Sequence, residues 1–192
     1  MIEMLRQPIV NIVSKQVIIE EMLCRPESDC CIKDYLTTKD PHLLWQREYH
    51  AILQGIERQN GKPINLNVSM MSLPYLLSNT ALTWNGGIEI VEWGESNLTM
   101  QEMRRIVQQL QARGLSVWAD DVTSNKLNFW IRVGVSGIKV ELKELYDESF
   151  VNRLKKTKRA VIVERVENKV DERLLLKNGF HIAQGYLYGR AQ

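Results

Sequence analysis

Short runs of β-branched and aliphatic residues recur along the chain, with turn residues closing each and helical periods between most of them. The runs stand at Pro8–Val13, Val17–Leu23, Ile64–Val68, Ile88–Val91, Leu115–Ala119, Gly137–Val140, Ala160–Val163 and His181–Leu187, which predicts eight strands. Asp40-Pro41 supplies an N-cap and a first-turn proline ahead of Leu44, Trp45, Ile52, Leu53 and Ile56, with Gly61 beyond. Thr99 and Glu102 form a capping-box pattern before Met103, Ile106, Val107 and Leu110, and Gly114 closes that period. Asn168 and Asp171 open a third helix that runs to Gly179; weaker helical patterns cover 125–133 and 142–154. Eight strands alternating with helices predict an α/β barrel of the TIM (β/α)8 type. Only the few residues around Ser14–Gln16 join the first two strands. A parallel crossover needs about a dozen, so the first strand is expected to be antiparallel.

Size then constrains the barrel. At 192 residues the chain holds one core, read as a single domain over 1–192, and lies just under the roughly 200 residues of the smallest such barrels. Shortened helices are therefore expected. A formal net charge of +2 does not argue for a nucleic-acid or membrane partner. No apolar run is long enough to span a bilayer, and the first residues lack the pattern of an export signal. Cys24, Cys30 and Cys31 have no zinc or redox spacing and read as reduced thiols, so a cytoplasmic location is expected.

Polar residues fall inside or at the ends of these apolar runs. Glu21, Asn67, Glu89, Asp120, Asp121, Lys139, Glu164 and Gln184 all do so. In a parallel barrel the strand C-termini converge on one mouth, where active sites form. Carboxylates gathered there repel one another unless a cation sits among them. A ligand set of oxygens without His or Cys favours Mg²⁺, Mn²⁺ or Ca²⁺, and two such ions suit phosphodiester hydrolysis.

The order of these residues resembles the EAL domain of cyclic di-GMP phosphodiesterases across nearly the whole chain. The resemblance rests on Gln7-Pro8-Ile9-Val10, Glu21-Met22-Leu23-Cys24-Arg25, Asn67-Val68-Ser69, Glu89-Ile90-Val91-Glu92 and Asp120-Asp121. It continues through Gly137-Ile138-Lys139-Val140, Glu164-Arg165-Val166-Glu167 and Gln184-Gly185-Tyr186-Leu187. It implies a modified TIM barrel with one antiparallel strand. It also implies metal ligation by Glu21, Asn67, Glu89, Asp120, Asp121 and Glu164, with two Mg²⁺ or Mn²⁺ ions and Ca²⁺ as an inhibitory substitute. Catalysis would rest on Lys139, Glu164 and Glu21, and Lys139 would orient or activate the attacking water. Gln7, Arg25 and Gln184 would contact the dinucleotide, and Glu92 would anchor the loop after the paired aspartates. The implied reaction converts cyclic di-GMP to linear pGpG in bacterial signalling.

Two departures bear on activity. The segment Val122-Thr123-Ser124-Asn125-Lys126 is shorter than the family's glycine-containing loop, and Arg165 stands where the family has glycine. The helical spacers before Asn67, Glu89 and Glu164 are also trimmed. The retained ligand set favours hydrolysis, acting alone or as a homodimer. The altered loop favours the alternative, an inactive EAL-like protein that binds cyclic di-GMP or a protein partner such as a transcription regulator. The basic run Arg153, Lys155, Lys156, Lys158, Arg159 reads as a solvated face rather than a nucleic-acid interface. His42, His50 and His181 have no ligand spacing, and Trp45, Trp93, Trp118 and Trp130 read as packing residues.

Overall fold

A computed structural model describes residues 2–26, 36, 38, 40–91 and 97–192. The strands are β1 (Ile2–Asn11), β2 (Gln16–Pro26), β3 (Ile64–Ser69), β4 (Gly86–Val91), β5 (Ser116–Ala119), β6 (Gly137–Glu141), β7 (Ala160–Glu164) and β8 (Ile182–Gln184). They close into a barrel in chain order. β1 is antiparallel to both β2 and β8, and every other pair is parallel. The short β1–β2 connection forces this, as expected. The described α-helices are α1 (Pro41–Glu57), α2 (Leu73–Ser78), α3 (Met100–Ala112), α4 (Leu127–Val133), α5 (Glu148–Lys156) and α6 (Lys169–Lys177). A 3-10 segment, Leu142–Tyr146, precedes α5. Most are short, which is how the barrel fits its length. No helix among the described residues is long and apolar enough to cross a membrane.

Local chemistry sets the helix starts. The Asp40 carboxylate accepts from His42 N and Leu43 N, and Thr99–Glu102 and Asn168–Asp171 form reciprocal capping boxes. These satisfy backbone donors that otherwise lack partners in the first turn. Helix α2 has no matching signal, since Ser72 makes no capping bond. The last strand is shorter than its apolar run. Gly185 turns the chain at φ +153, with Val166 backbone so close that a Cβ would lie 2.2 Å from Val166 O. That approach ends β8 at Gln184.

The strands bury two different faces. Outward residues such as Leu66, Val68, Ile88, Ile90, Val117, Ile138, Val140, Val161 and Val163 pack under the helices in the main core. Inward residues Ile9, Trp118 and Ile162, with Ile18, Ile19 and Ile182 against them, form a separate small cluster that fills the barrel interior. Trp118 faces Gly137 across the β5–β6 pair, and a Cβ on Gly137 would lie 2.1 Å from the indole. The indole N–H donates to Ser116 Oγ at 3.0 Å. Trp118 is thus a plug beneath the mouth, in keeping with its reading as a packing residue. Beyond β8, Arg6 N donates to Gln192 O and Gln192 N to Arg6 O.

Candidate active site at the barrel mouth

Above the apolar plug, the same inward positions turn polar. Glu21, Asn65, Glu89, Lys139 and Gln184 are buried in the barrel and joined by hydrogen bonds. Lys139, 1% exposed, lies at the centre. Its Nζ lies 2.5 Å from Glu89 Oε2, 2.9 Å from Glu164 Oε1, 3.2 Å from Glu21 Oε2 and 3.4 Å from Asp120 Oδ1. Period-two alternation brings them together: Glu21, Glu89, Lys139 and Glu164 stand on inward positions of their strands, and Asp120 directly follows β5.

The amides complete the arrangement. Asn67 Nδ2 donates to Glu21 Oε1 at 2.9 Å, and Asn65 Nδ2 to Glu89 Oε1 at 2.9 Å. Gln184 Nε2 donates to Glu21 Oε2 at 2.5 Å and to Gln7 Oε1 at 3.1 Å. Asn65, Asn67 and Gln184 therefore donate inward and leave their oxygens behind. Asn67 Oδ1 and Gln184 Oε1 are buried with no hydrogen-bond donor. Asp120 Oδ1 is also without one, its approach to Lys139 being an ion pair rather than an aligned hydrogen bond.

Burial and charge set the protonation states. Burial favours neutral lysine, but Asp120, Glu164, Glu21 and Glu89 outweigh it and hold Lys139 well above the usual lysine range. Burial also raises Glu21, yet the Lys139 charge and the amide hydrogen bonds prevail, and its carboxyl falls below the ordinary value. Glu89 goes the other way, pushed well up by burial and by the charge of Glu21. Burial likewise raises Asp120, and takes Glu164 to about 7 despite Lys139.

Three carboxylates, of Asp120, Asp121 and Glu164, present oxygens within 4.8 Å of one another. Asp121 is exposed and left-handed at φ +47, a conformation that aspartate tolerates better than most residues. The cluster and the donor-free oxygens beside it fit a hard divalent cation, which takes oxygen ligands and supplies the missing positive charge. Glu21, Asn67 and Glu89 belong to the same ring but are turned to Lys139 and the amides.

The remaining expected residues line the approach. Gln7, Arg25 and Gln184 border a cleft of about 330 Å³ with Glu21, Glu164 and Arg165. Arg25 donates to its neighbour's carbonyl, Cys24 O. Glu92, Trp93, Cys30 and Cys31 lie outside the described residues. Arg165, expected as a cation beside the metal ligands, lines this cleft at φ +58 with its Nε 2.8 Å from Glu141 Oε1. His42 packs edge-on against Tyr75, and His50 bonds Gln54. Trp45 stacks on Tyr75, and Trp130 is fully buried in α4.

Two polar residues of this region are absent from the sequence reading. Asn65 shares the inward face of Asn67, two positions away, and that alternation is its signal. Glu48, 3% exposed on α1, accepts from Ser69 N at 3.0 Å and Ser69 Oγ at 3.2 Å. Its signal is a carboxylate on the apolar stripe Leu44–Glu48–Ile52.

A closed eight-stranded barrel with one antiparallel strand and an acidic mouth defines a modified TIM barrel. Neither a family model nor a curated protein sequence gives a significant match to the chain. Solved structures do match. An EAL domain protein from Listeria monocytogenes superimposes with a TM-score of 0.77 at 16% identity, over 99% of this chain and 88% of that one. The PaMucR phosphodiesterase, solved as a c-di-GMP complex, gives 0.78 at 18% identity over 100% and 96%. Klebsiella pneumoniae BlrP1, solved with manganese and c-di-GMP, gives 0.76 at 19% identity; this chain spans 56% of that longer protein. The chain thus has the fold of EAL domains, as its resemblance to them implied.

Proposed function

We propose that this chain is a compact, single-domain EAL-type phosphodiesterase that hydrolyses cyclic di-GMP to linear pGpG with Mg²⁺ or Mn²⁺. The observation that carries this reading is the meeting of Asp120, Asp121 and Glu164 within 4.8 Å at the mouth of such a barrel. Structural neighbours that hold c-di-GMP with manganese or calcium support it.

Those three carboxylates would hold the cation, with Glu21, Asn67 and Glu89 completing the shell. A bound divalent pair supplies a polarised water and neutralises charge on the phosphoryl oxygens. Lys139 stays protonated, so it orients the attacking water by donating a hydrogen bond and does not act as its base. The proton of that water would pass instead to one of the carboxylates around Lys139, within reach at the barrel mouth. Glu21, anchored by Asn67, Gln184 and Lys139, fixes the geometry of the ring. Gln7, Arg25 and Gln184 position the nucleotide.

Purified protein incubated with cyclic di-GMP and Mn²⁺ is expected to release pGpG, and Glu21→Ala to release none. An intact substrate after hours would defeat the reading.

A second reading is a non-catalytic receptor or adaptor. It is favoured by Glu21 and Glu89 being turned to Lys139, which leaves three carboxylates in the cluster, and by the short segment after Asp121. Binding of cyclic di-GMP without turnover selects the receptor. Absence of nucleotide binding selects an adaptor for a protein partner.

A further inference from the structure

We propose that Arg165 is a specificity residue whose guanidinium takes the second phosphate of a cyclic dinucleotide, while the first lies over the acidic cluster. The inference deepens the functional reading above and rests on it.

Arg165 follows directly on Glu164, the last residue of β7, and holds a left-handed backbone at φ +58. That conformation brings a Cβ too near the following carbonyl, so any residue but glycine is disfavoured there. Packing does not explain the side chain, which is 73% exposed. Its one described partner is Glu141 at the end of β6, whose Oε1 lies 2.8 Å from the guanidinium Nε. Glu141 also pairs with Lys143.

That contact has a geometric consequence. A guanidinium carries five N–H donors in a fixed plane, and the ion pair to Glu141 tethers that plane at the cleft without taking its terminal nitrogens into a hydrogen bond. Among the described residues those terminal nitrogens have no partner, and the side chain lines the cleft between Glu164 and Gln184. Two free N–H groups in a plane match two phosphate oxygens.

The charges in the cleft divide the same way. Glu21 and Glu164 repel a phosphate unless a cation covers them, whereas Arg25 and Arg165 attract one directly. Arg25 spends a terminal nitrogen on Cys24 O, so Arg165 is the one held by a carboxylate with both terminal nitrogens uncommitted. A ligand with two phosphodiesters can engage the acidic floor and this guanidinium together. A ligand with one phosphodiester engages only one of them.

The test is calorimetric binding with Ca²⁺ to suppress turnover, comparing cyclic di-GMP with the linear dinucleotide GpG, which has a single phosphodiester. Arg165→Gly is expected to weaken cyclic di-GMP binding roughly tenfold and to change GpG binding less than about twofold. The same variant, relieved of the left-handed side chain, is expected to melt about 2–4 °C higher. Loss of affinity alongside gain of stability separates a ligand contact from a structural one. Arg165→Lys, a point charge without the fork, is expected to fall between. If Arg165→Gly binds cyclic di-GMP as the wild type does, or loses both ligands equally, the assignment is overturned while the phosphodiesterase reading stands. If the wild type binds neither nucleotide, that reading fails and this one with it.

Discussion

Lys139 holds together a group of acids that cannot share the barrel interior without it. Four carboxylates lie within 3.4 Å of its nitrogen, and Glu21 and Glu89 have almost no access to water. Removing one partner from a buried ionic network leaves the rest uncompensated and costs about 3–5 kcal/mol. Lys139→Met is therefore expected to lower the unfolding free energy by about that amount, read from urea titration, with loss of hydrolysis. Glu48 makes a different prediction. Burial raises its carboxyl to about 7, and the hydrogen bonds from Ser69 offset that only in part. Between pH 4.5, the ordinary value for such a carboxyl, and 7, the folded protein binds this proton and the unfolded chain does not. The contribution is therefore fully present below pH 4.5 and is lost as pH rises towards 7. Glu48→Gln removes that slope. Urea titrations should find the variant close to wild type at pH 5 and more stable at pH 8, by on the order of 3 kcal/mol at most. The ring was legible because Glu, Asp, Lys and Gln interrupt Ile/Val strands at alternate positions. Glu48 was missed because a helix hides one buried carboxylate among ordinary surface charges. The left-handed backbone at Arg165 leaves no trace in hydrophobic periodicity, which carries no information about φ.

At the scale of elements, strand and helix placement followed from alternation and capping, since each capping pair predicted from sequence forms its bonds. The strand ends fared less well. β1 and β2 extend past their apolar runs because they pair with each other along their full length, and pairing partners cannot be seen in a run's composition. Helix α2 escaped for lack of length and of any N-cap bond. The pairing of Trp118 with Gly137 also belongs to this scale. A large inward side chain on β5 needs an empty place on β6, and glycine supplies it. Gly137→Ala puts a methyl into the indole, and neither strand backbone can yield without disturbing Asp120 or Lys139. Overpacking of this kind costs about 1–3 kcal/mol. Thermal melts should detect that loss, and tryptophan emission should report the displaced plug even where the fold survives.

Over the whole molecule, closure makes the barrel one cooperative unit in this reading. β8 pairs with β1, so neither of these strands can leave without opening the sheet. A ligand that binds the folded mouth should then shift a single melting transition as a whole. At a hundredfold excess over its dissociation constant, a metal ion contributes about 2.7 kcal/mol, or about 5–10 °C in a domain of this size. Mn²⁺ is expected to raise the melting temperature on that scale. Asp121→Asn distinguishes specific binding from a general salt effect. Asp121 is exposed, and asparagine accepts its left-handed backbone. The substitution also removes one of three mutually repelling carboxylates. The metal-free variant should therefore melt at or slightly above the wild-type temperature, while its response to Mn²⁺ collapses. If both proteins respond alike, the ion binds elsewhere, and the mouth is an ionic network closed on Lys139 rather than a metal site.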